Sequence, residues 1–221
     1  MAASDLPASR AMSDSSAPLP GTDYEHGTSL GLSNNKLAMW TFIGSECLFF
    51  GALISTYLIY VGRTNEGPTP AGIYDIPFTS VSTFILLMSS LGMVLALAAI
   101  QAGEMRKFRT WILATGLMGA TFLAGQFYEF TVFTAEEFNL TTSPFSSSFF
   151  VLTGFHGLHV ALGILMLLAM WTASMMGRLP QQLHTTVENI GLYWHFVDIV
   201  WIIIFTVVYL IPAAPTAPPG G

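Results

Sequence analysis

Charge is what this sequence has least of. Lys, Arg, Asp and Glu make up 9% of its 221 residues, against 52% hydrophobic side chains. A water-soluble fold of this length carries roughly a quarter charged residues, so the composition argues against a soluble globular domain. Basic side chains are scarcer still, with 7 Lys and Arg against 13 Asp and Glu and a formal net charge of −6. No cluster of them could track a phosphate backbone, which excludes nucleic acid as a partner. Cysteine is reduced to one, Cys47. A single thiol makes neither a disulfide framework nor a multi-cysteine zinc site. Lying inside an apolar run, it is expected to be a small packing residue. A phosphate-binding glycine loop and a nucleophile paired with a base are also missing. No catalytic, cofactor-binding or metal-binding residue is therefore assigned.

What the sequence has in abundance is long apolar runs. Five are each near the roughly 20 residues that cross a bilayer as a helix: 37–61, 79–101, 108–130, 148–175 and 187–211. Lipid offers the backbone no hydrogen-bond partner, so each run must satisfy its own amides as a helix. The predicted fold class is an all-α integral membrane protein, a bundle of five transmembrane helices. Pro and Gly punctuate it in "NEGPTPAGIYDIP", at Pro144 and in "GRLPQQ". Residues 1–36 are rich in Ser, Ala, Pro and Asp and lack the apolar core of a signal peptide, which makes them a predicted disordered tail. Residues 37–211 form the helical domain, and the Pro-rich residues 212–221 a second tail.

Orientation follows from the basic residues. An odd number of spans puts Arg10, Lys36, Arg106, Lys107, Arg109 and Arg178 on one side and Arg63 on the other. The positive-inside rule then predicts a cytoplasmic N-terminus and a C-terminus outside. Trp111, Tyr193, Trp194 and Tyr209 lie near span ends and are expected in the interfacial aromatic belts.

Polar residues inside these runs are costly and normally face protein or a water-filled cavity. In the last run Glu188, Gly191, His195 and Asp198 share one helical face, flanked by Trp194 and Trp201. In the third run Thr115, Gly119, Phe122, Gln126 and Glu129 make a similar stripe, with Glu129 close enough to the end to be half solvated. In the fourth, His156, His159 and Gly163 lie on one side and Gly154, Gly157 and Ala161 on another. In the first, Gly44, Gly51 and Ser55 form a small-residue face opposite Glu46, which sits among Phe42, Phe49 and Phe50. Small and polar residues on one face suit close helix packing with hydrogen bonds across the contact. Intramembrane Glu46, Glu129, His156, His159, Glu188, His195 and Asp198 are thus candidates for structural or lipid contacts. Two other readings stay open on the residues alone. His156 or His159 could pair with His195 as axial ligands of a haem-binding membrane electron carrier. Glu46, His195 and Asp198 could form an ion pathway, although no repeat or broken helix supports a transporter.

The segments "GSECLFFGAL", "GQFYEF", "FFVLTGFHGLHVALGI" and "ENIGLYWHFVDIVWIIIF" strongly resemble subunit III of the haem–copper respiratory oxidases. The resemblance runs through all five spans and fits the family's five-helix bacterial type. It implies a non-catalytic subunit of a proton-pumping terminal oxidase in the bacterial plasma membrane, most often a cytochrome c oxidase of aerobic respiration. Quinol oxidases and nitric oxide reductases are the alternatives. Haem and copper would belong to partner subunits and none to this chain. Direct packing on subunit I, association with subunit II and subunit IV, and phospholipid held in a helix cleft are implied with it. So are support for proton uptake and oxygen access. Under this resemblance His156 and His159 match the family's paired histidines as structural residues. Glu46 matches its intramembrane carboxyl, and Glu129, His195 and Asp198 match its remaining polar positions.

Overall fold

The computed structural model describes residues 34–61, 75–177 and 184–211. The predicted tails, apart from Asn34, Asn35 and Lys36, lie outside the described residues, as do Arg10, Arg63 and Arg178. Five long helices account for most of the rest: α1 (Asn34–Tyr60), α2 (Ile76–Gln101), α3 (Met105–Ala135), α4 (Pro144–Met175) and α5 (His184–Phe205). A π turn, Thr206–Leu210, continues α5. No strand occurs among the described residues.

All five helices begin three or four residues earlier than the apolar runs indicate, and in α2 and α4 a capping residue sets the start. Asp75 caps α2, its carboxylate accepting from the Phe78 amide at 3.1 Å, with Pro77 inside the first turn. Ser143 caps α4 in a reciprocal box. Its hydroxyl accepts from the Ser146 amide at 3.1 Å, and its own amide donates to the Ser146 hydroxyl at 2.9 Å. Pro144 is therefore the first residue of a helix and not a break before one, because proline has no amide to leave unsatisfied there. Between α2 and α3 only Ala102, Gly103 and Glu104 intervene, and Gly103 takes φ 77° to turn the chain.

Hydroxyls within the helices are satisfied locally. Thr83, Thr115 and Thr153 each donate to the carbonyl four residues back, at 2.7, 2.9 and 2.7 Å. Four helices, α1, α2, α4 and α5 with its π turn, are long and apolar enough to cross a membrane. Helix α3 has 31 residues but a more polar interior. Its Thr115, Gln126 and Glu129 are all buried, so that polarity is turned toward the other helices.

Helices α2 to α5 close a ring: α2 packs on α3, α3 on α4, α4 on α5, and α5 back on α2. Lipid tails are as apolar as leucine, so close fit and hydrogen bonds must hold such a ring. The fit centres on Trp194. A methyl group added at Gly119 of α3 would stand 2.5 Å from its ring, and one at Gly163 of α4 2.7 Å. Its indole N–H donates to Ser89 Oγ of α2 at 2.9 Å. One α5 side chain thus engages the three other helices of the ring. Trp194, Tyr193 and Tyr209 are core residues and not part of an aromatic belt, whereas Trp111 is exposed. The slot provided by the two glycines is what draws Trp194 inward.

Helix α1 stands against α4 and α5 through longer side chains. Phe49 and Phe50 meet Phe155 and His159 with ring centroids 5.2 and 5.0 Å apart, and Tyr57 meets Phe145 at 5.5 Å. Phe42 stacks on Tyr193 and Phe50 approaches Phe196. The small-residue face expected to pack inside the bundle is open: nothing lies within 4 Å of a Cβ added at Gly44 or Gly51. Cys47, expected as a packing residue, is likewise exposed, on the side of α1 that borders a groove toward α5.

Candidate functional site

The intramembrane polar residues are distributed over four interhelical contacts and do not meet at one centre. The first joins α1 to α4, where Glu46 Oε2 lies 3.2 Å from His159 Nε2. The other ring nitrogen of His159 is 2.7 Å from the Phe155 carbonyl oxygen. A carbonyl only accepts, so Nδ1 carries the proton of that bond, which leaves Nε2 to face the Glu46 carboxyl. Tyr193 of α5 adds a third helix, its hydroxyl donating to the His159 carbonyl at 3.0 Å.

The second contact joins α2 to α5. Ser90 donates its hydroxyl proton to Asp198 Oδ2 and lies 3.0 Å from His195 Nδ1. With that proton committed, the bond to His195 requires an Nδ1–H donor, which fixes the tautomer. Further along the same helix, Trp201 donates to Thr83 of α2 at 2.9 Å.

The third contact joins α3 to α2 and to the end of α5. Thr79 donates to Glu129 Oε1, and the Tyr209 hydroxyl in the π turn bonds to the same carboxyl. Glu129 is 6% exposed and not half solvated, because these two hydroxyls replace the water its position near the helix end would otherwise supply. The fourth lies at the opposite end of the bundle, where Lys36 Nζ of α1 is 2.8 Å from Glu188 Oε1 of α5. Glu188 therefore does not join His195 and Asp198, despite their shared helical face. It starts α5 and turns to α1, while the other two turn to α2.

The paired histidines also part company. Three residues along a helix are about 60° apart around its axis, enough to aim His159 at α1 and His156 into the ring. His156 is fully buried, stacked on Trp201 at 4.8 Å and set edge-on to Phe122 at 5.9 Å. Neither of its nitrogens has a hydrogen-bond partner among protein groups. His156, His159 and His195 thus face three different surroundings, which does not favour any two as ligands of one haem. Among the described residues, no three His, Cys, Asp or Glu side chains gather as a metal-binding group.

Several partners were not singled out from sequence: Ser89, Ser90, Thr79 and Thr83 of α2, and the Arg109–Ser174 contact. Arg109 donates to the Ser174 hydroxyl at 2.8 Å and carbonyl at 2.6 Å, pinning the end of α4 to the start of α3. The adjacent hydroxyls Ser89 and Ser90, in the middle of an otherwise apolar helix, were the available signal.

A closed ring of apolar helices with a fifth at its flank defines a multi-pass membrane protein. A family model described as cytochrome c oxidase subunit III matches residues 22–212, and the chain belongs to that family. It is 37% identical over 193 residues to cytochrome bo(3) ubiquinol oxidase subunit 3 of Pseudomonas aeruginosa, covering 87% of this chain and 92% of the relative. It is 38% identical over 186 residues to cytochrome c oxidase subunit 3 of Bacillus sp. strain PS3, covering 84% and 90%. Quinol oxidase subunit 3 of Bacillus subtilis is 36% identical over 176 residues, covering 80% and 86%. The chain is a subunit III of the haem–copper oxidases, a multi-pass component of a bacterial membrane.

Proposed function

We propose that this chain stabilises subunit I of a proton-pumping cytochrome c oxidase, together with subunits II and IV, and carries no redox centre itself. The observation that carries the reading is the dispersal of its ionisable groups. Glu46, Glu129, Glu188, His159, His195 and Asp198 are each engaged by a side chain of a neighbouring helix. Electron transfer and oxygen reduction then belong to the haem and copper of the partner subunits. A quinol oxidase is the second reading, favoured by relatives of both names at nearly equal identity. The N-terminus is cytoplasmic and the C-terminus outside, as the Lys and Arg distribution implies.

Lipid is the proposed ligand. A groove of about 390 Å³ runs between α1 and α5, lined by Trp40, Cys47, Phe50, His195, Phe196 and Ile203 among others. Its walls are almost wholly apolar and suit an acyl chain. Lipid held there supports oxygen access and proton uptake in the partner by keeping α1 in place.

The test is to purify the tagged chain in mild detergent and record visible spectra and metal content before and after its partners are stripped. Haem and copper that arrive with it and leave with the partners support the reading. Haem retained by the isolated chain overturns it. Oxidation of reduced cytochrome c against that of quinol by the intact complex separates the two donors.

A further inference from the structure

We propose that the seam between α3 and α4 holds a buried water-binding site, bridging Gln126 Oε1 and the ring of His156. Both side chains are more than nine-tenths buried. Gln126 Oε1, His156 Nδ1 and His156 Nε2 all lack a hydrogen-bond partner among protein groups.

The orientation of the Gln126 amide is not free. Its nitrogen donates to the Thr153 carbonyl at 2.7 Å, and a carbonyl cannot accept from an oxygen without a proton. The amide oxygen is therefore held on the other side, over Gly157. A methyl group there would stand 2.7 Å from it. Glycine at 157 thus lets the acceptor lie directly on the α4 backbone, beside His156.

His156 presents the complementary chemistry. Trp201 covers one face of the imidazole, and Phe122 approaches at a steep angle. Both nitrogens lie on the edge of the ring, which stacking leaves uncovered. Gln126 follows Phe122 by one helical turn on α3, and Phe122 meets the His156 ring, so one stretch of α3 reaches both Gly157 and His156. A neutral imidazole brings one N–H donor and one lone pair, and Gln126 brings an acceptor. A single water accepting from the N–H and donating to the amide oxygen satisfies two of the three orphaned atoms, which meets the two-partner minimum for a buried water. Direct bonding does not occur, since neither group has the other as a partner. His156 is structural in the family reading given above, and the water adds a ligand to that reading without depending on the partner subunits or the electron donor.

The experiment is a density map of the intact oxidase complex at a resolution that shows ordered water. The expected result is a water within hydrogen-bond distance of Gln126 Oε1 and of one His156 nitrogen. A dry seam, or a water bonded to only one of the two, overturns the proposal. His156→Phe sharpens it by keeping the aromatic stack and removing the nitrogens. A bridging role predicts a melting temperature lower by about 2–4 °C. If the nitrogens are simply unpaired, removing them relieves a desolvation cost and the variant melts higher, which also overturns the proposal. If the variant does not assemble, the wild-type map still decides.

Discussion

In the most apolar stretch of α1, 6% of residues are buried within the protein, whereas the corresponding stretches of α2, α4 and α5 bury 44%, 39% and 50%. The two regions are also fastened differently. The ring of α2 to α5 is held by shape, with glycines recessed to admit the Trp194 ring and hydroxyls placed to meet it. Helix α1 is held by the tips of side chains: aromatic edges, the Glu46–His159 contact and the Lys36–Glu188 pair. Close packing is costly to disturb at any point, because neighbouring groups cannot collapse to fill a gap. Contacts between side-chain tips can be lost one at a time.

That difference is open to attack in order of severity. Trp194→Ala empties a slot shared by four helices and is expected to cost about 3–5 kcal/mol. Gly163→Leu, which drives a side chain into the same ring, should be comparably damaging. Loss of the subunit from the purified complex is the readout, and retention of either variant at normal melting temperature would show that the ring is not held by this fit. Glu129→Ala leaves two hydroxyls without their carboxyl and should cost about 1–3 kcal/mol. Thermal melting of the complex measures it, with Glu129→Gln recovering part of the loss.

At the flank the effects shrink. Glu46→Gln keeps a hydrogen-bonding side chain of the same shape opposite His159 Nε2 and should leave assembly intact. Failure to assemble would mean that α1 is as firmly integrated as the ring. Lys36→Ala removes one partner of a pair in which both side chains are about a third exposed (30% and 32%), so a loss of about 0–1 kcal/mol is expected. Melting curves at low and high salt should converge on the same value if the pair is as screened as its position indicates.

The five helices were legible as apolar runs, and the buried stripe of α3 was legible as a polar pattern at helical spacing. The starts of α2 and α4 were legible in principle, since Asp75 and Ser143 each stand just before a proline-bearing first turn. Hydropathy alone hides them, because capping residues are polar. Direction was harder to read than periodicity. A helical wheel places Glu188 with His195 and Asp198, but it does not say which neighbour each side chain reaches. His156 and His159 are neighbours on the wheel and still belong to different interfaces. The π turn left no recognisable mark in Thr206–Leu210, and with it the contact between Tyr209 and Glu129 stayed hidden.

The position of Trp194 has a consequence for the order in which the protein can be made. The residue that locks α2, α3 and α4 together is supplied by α5, the helix synthesised after the other four. Until that helix enters the membrane, Gly119 and Gly163 border an unfilled gap and Ser89 awaits its donor. The ring cannot reach its final packing while its earlier members emerge from the ribosome, however well each has inserted. Completion is thereby deferred until α5 has been made, when a single side chain closes the set.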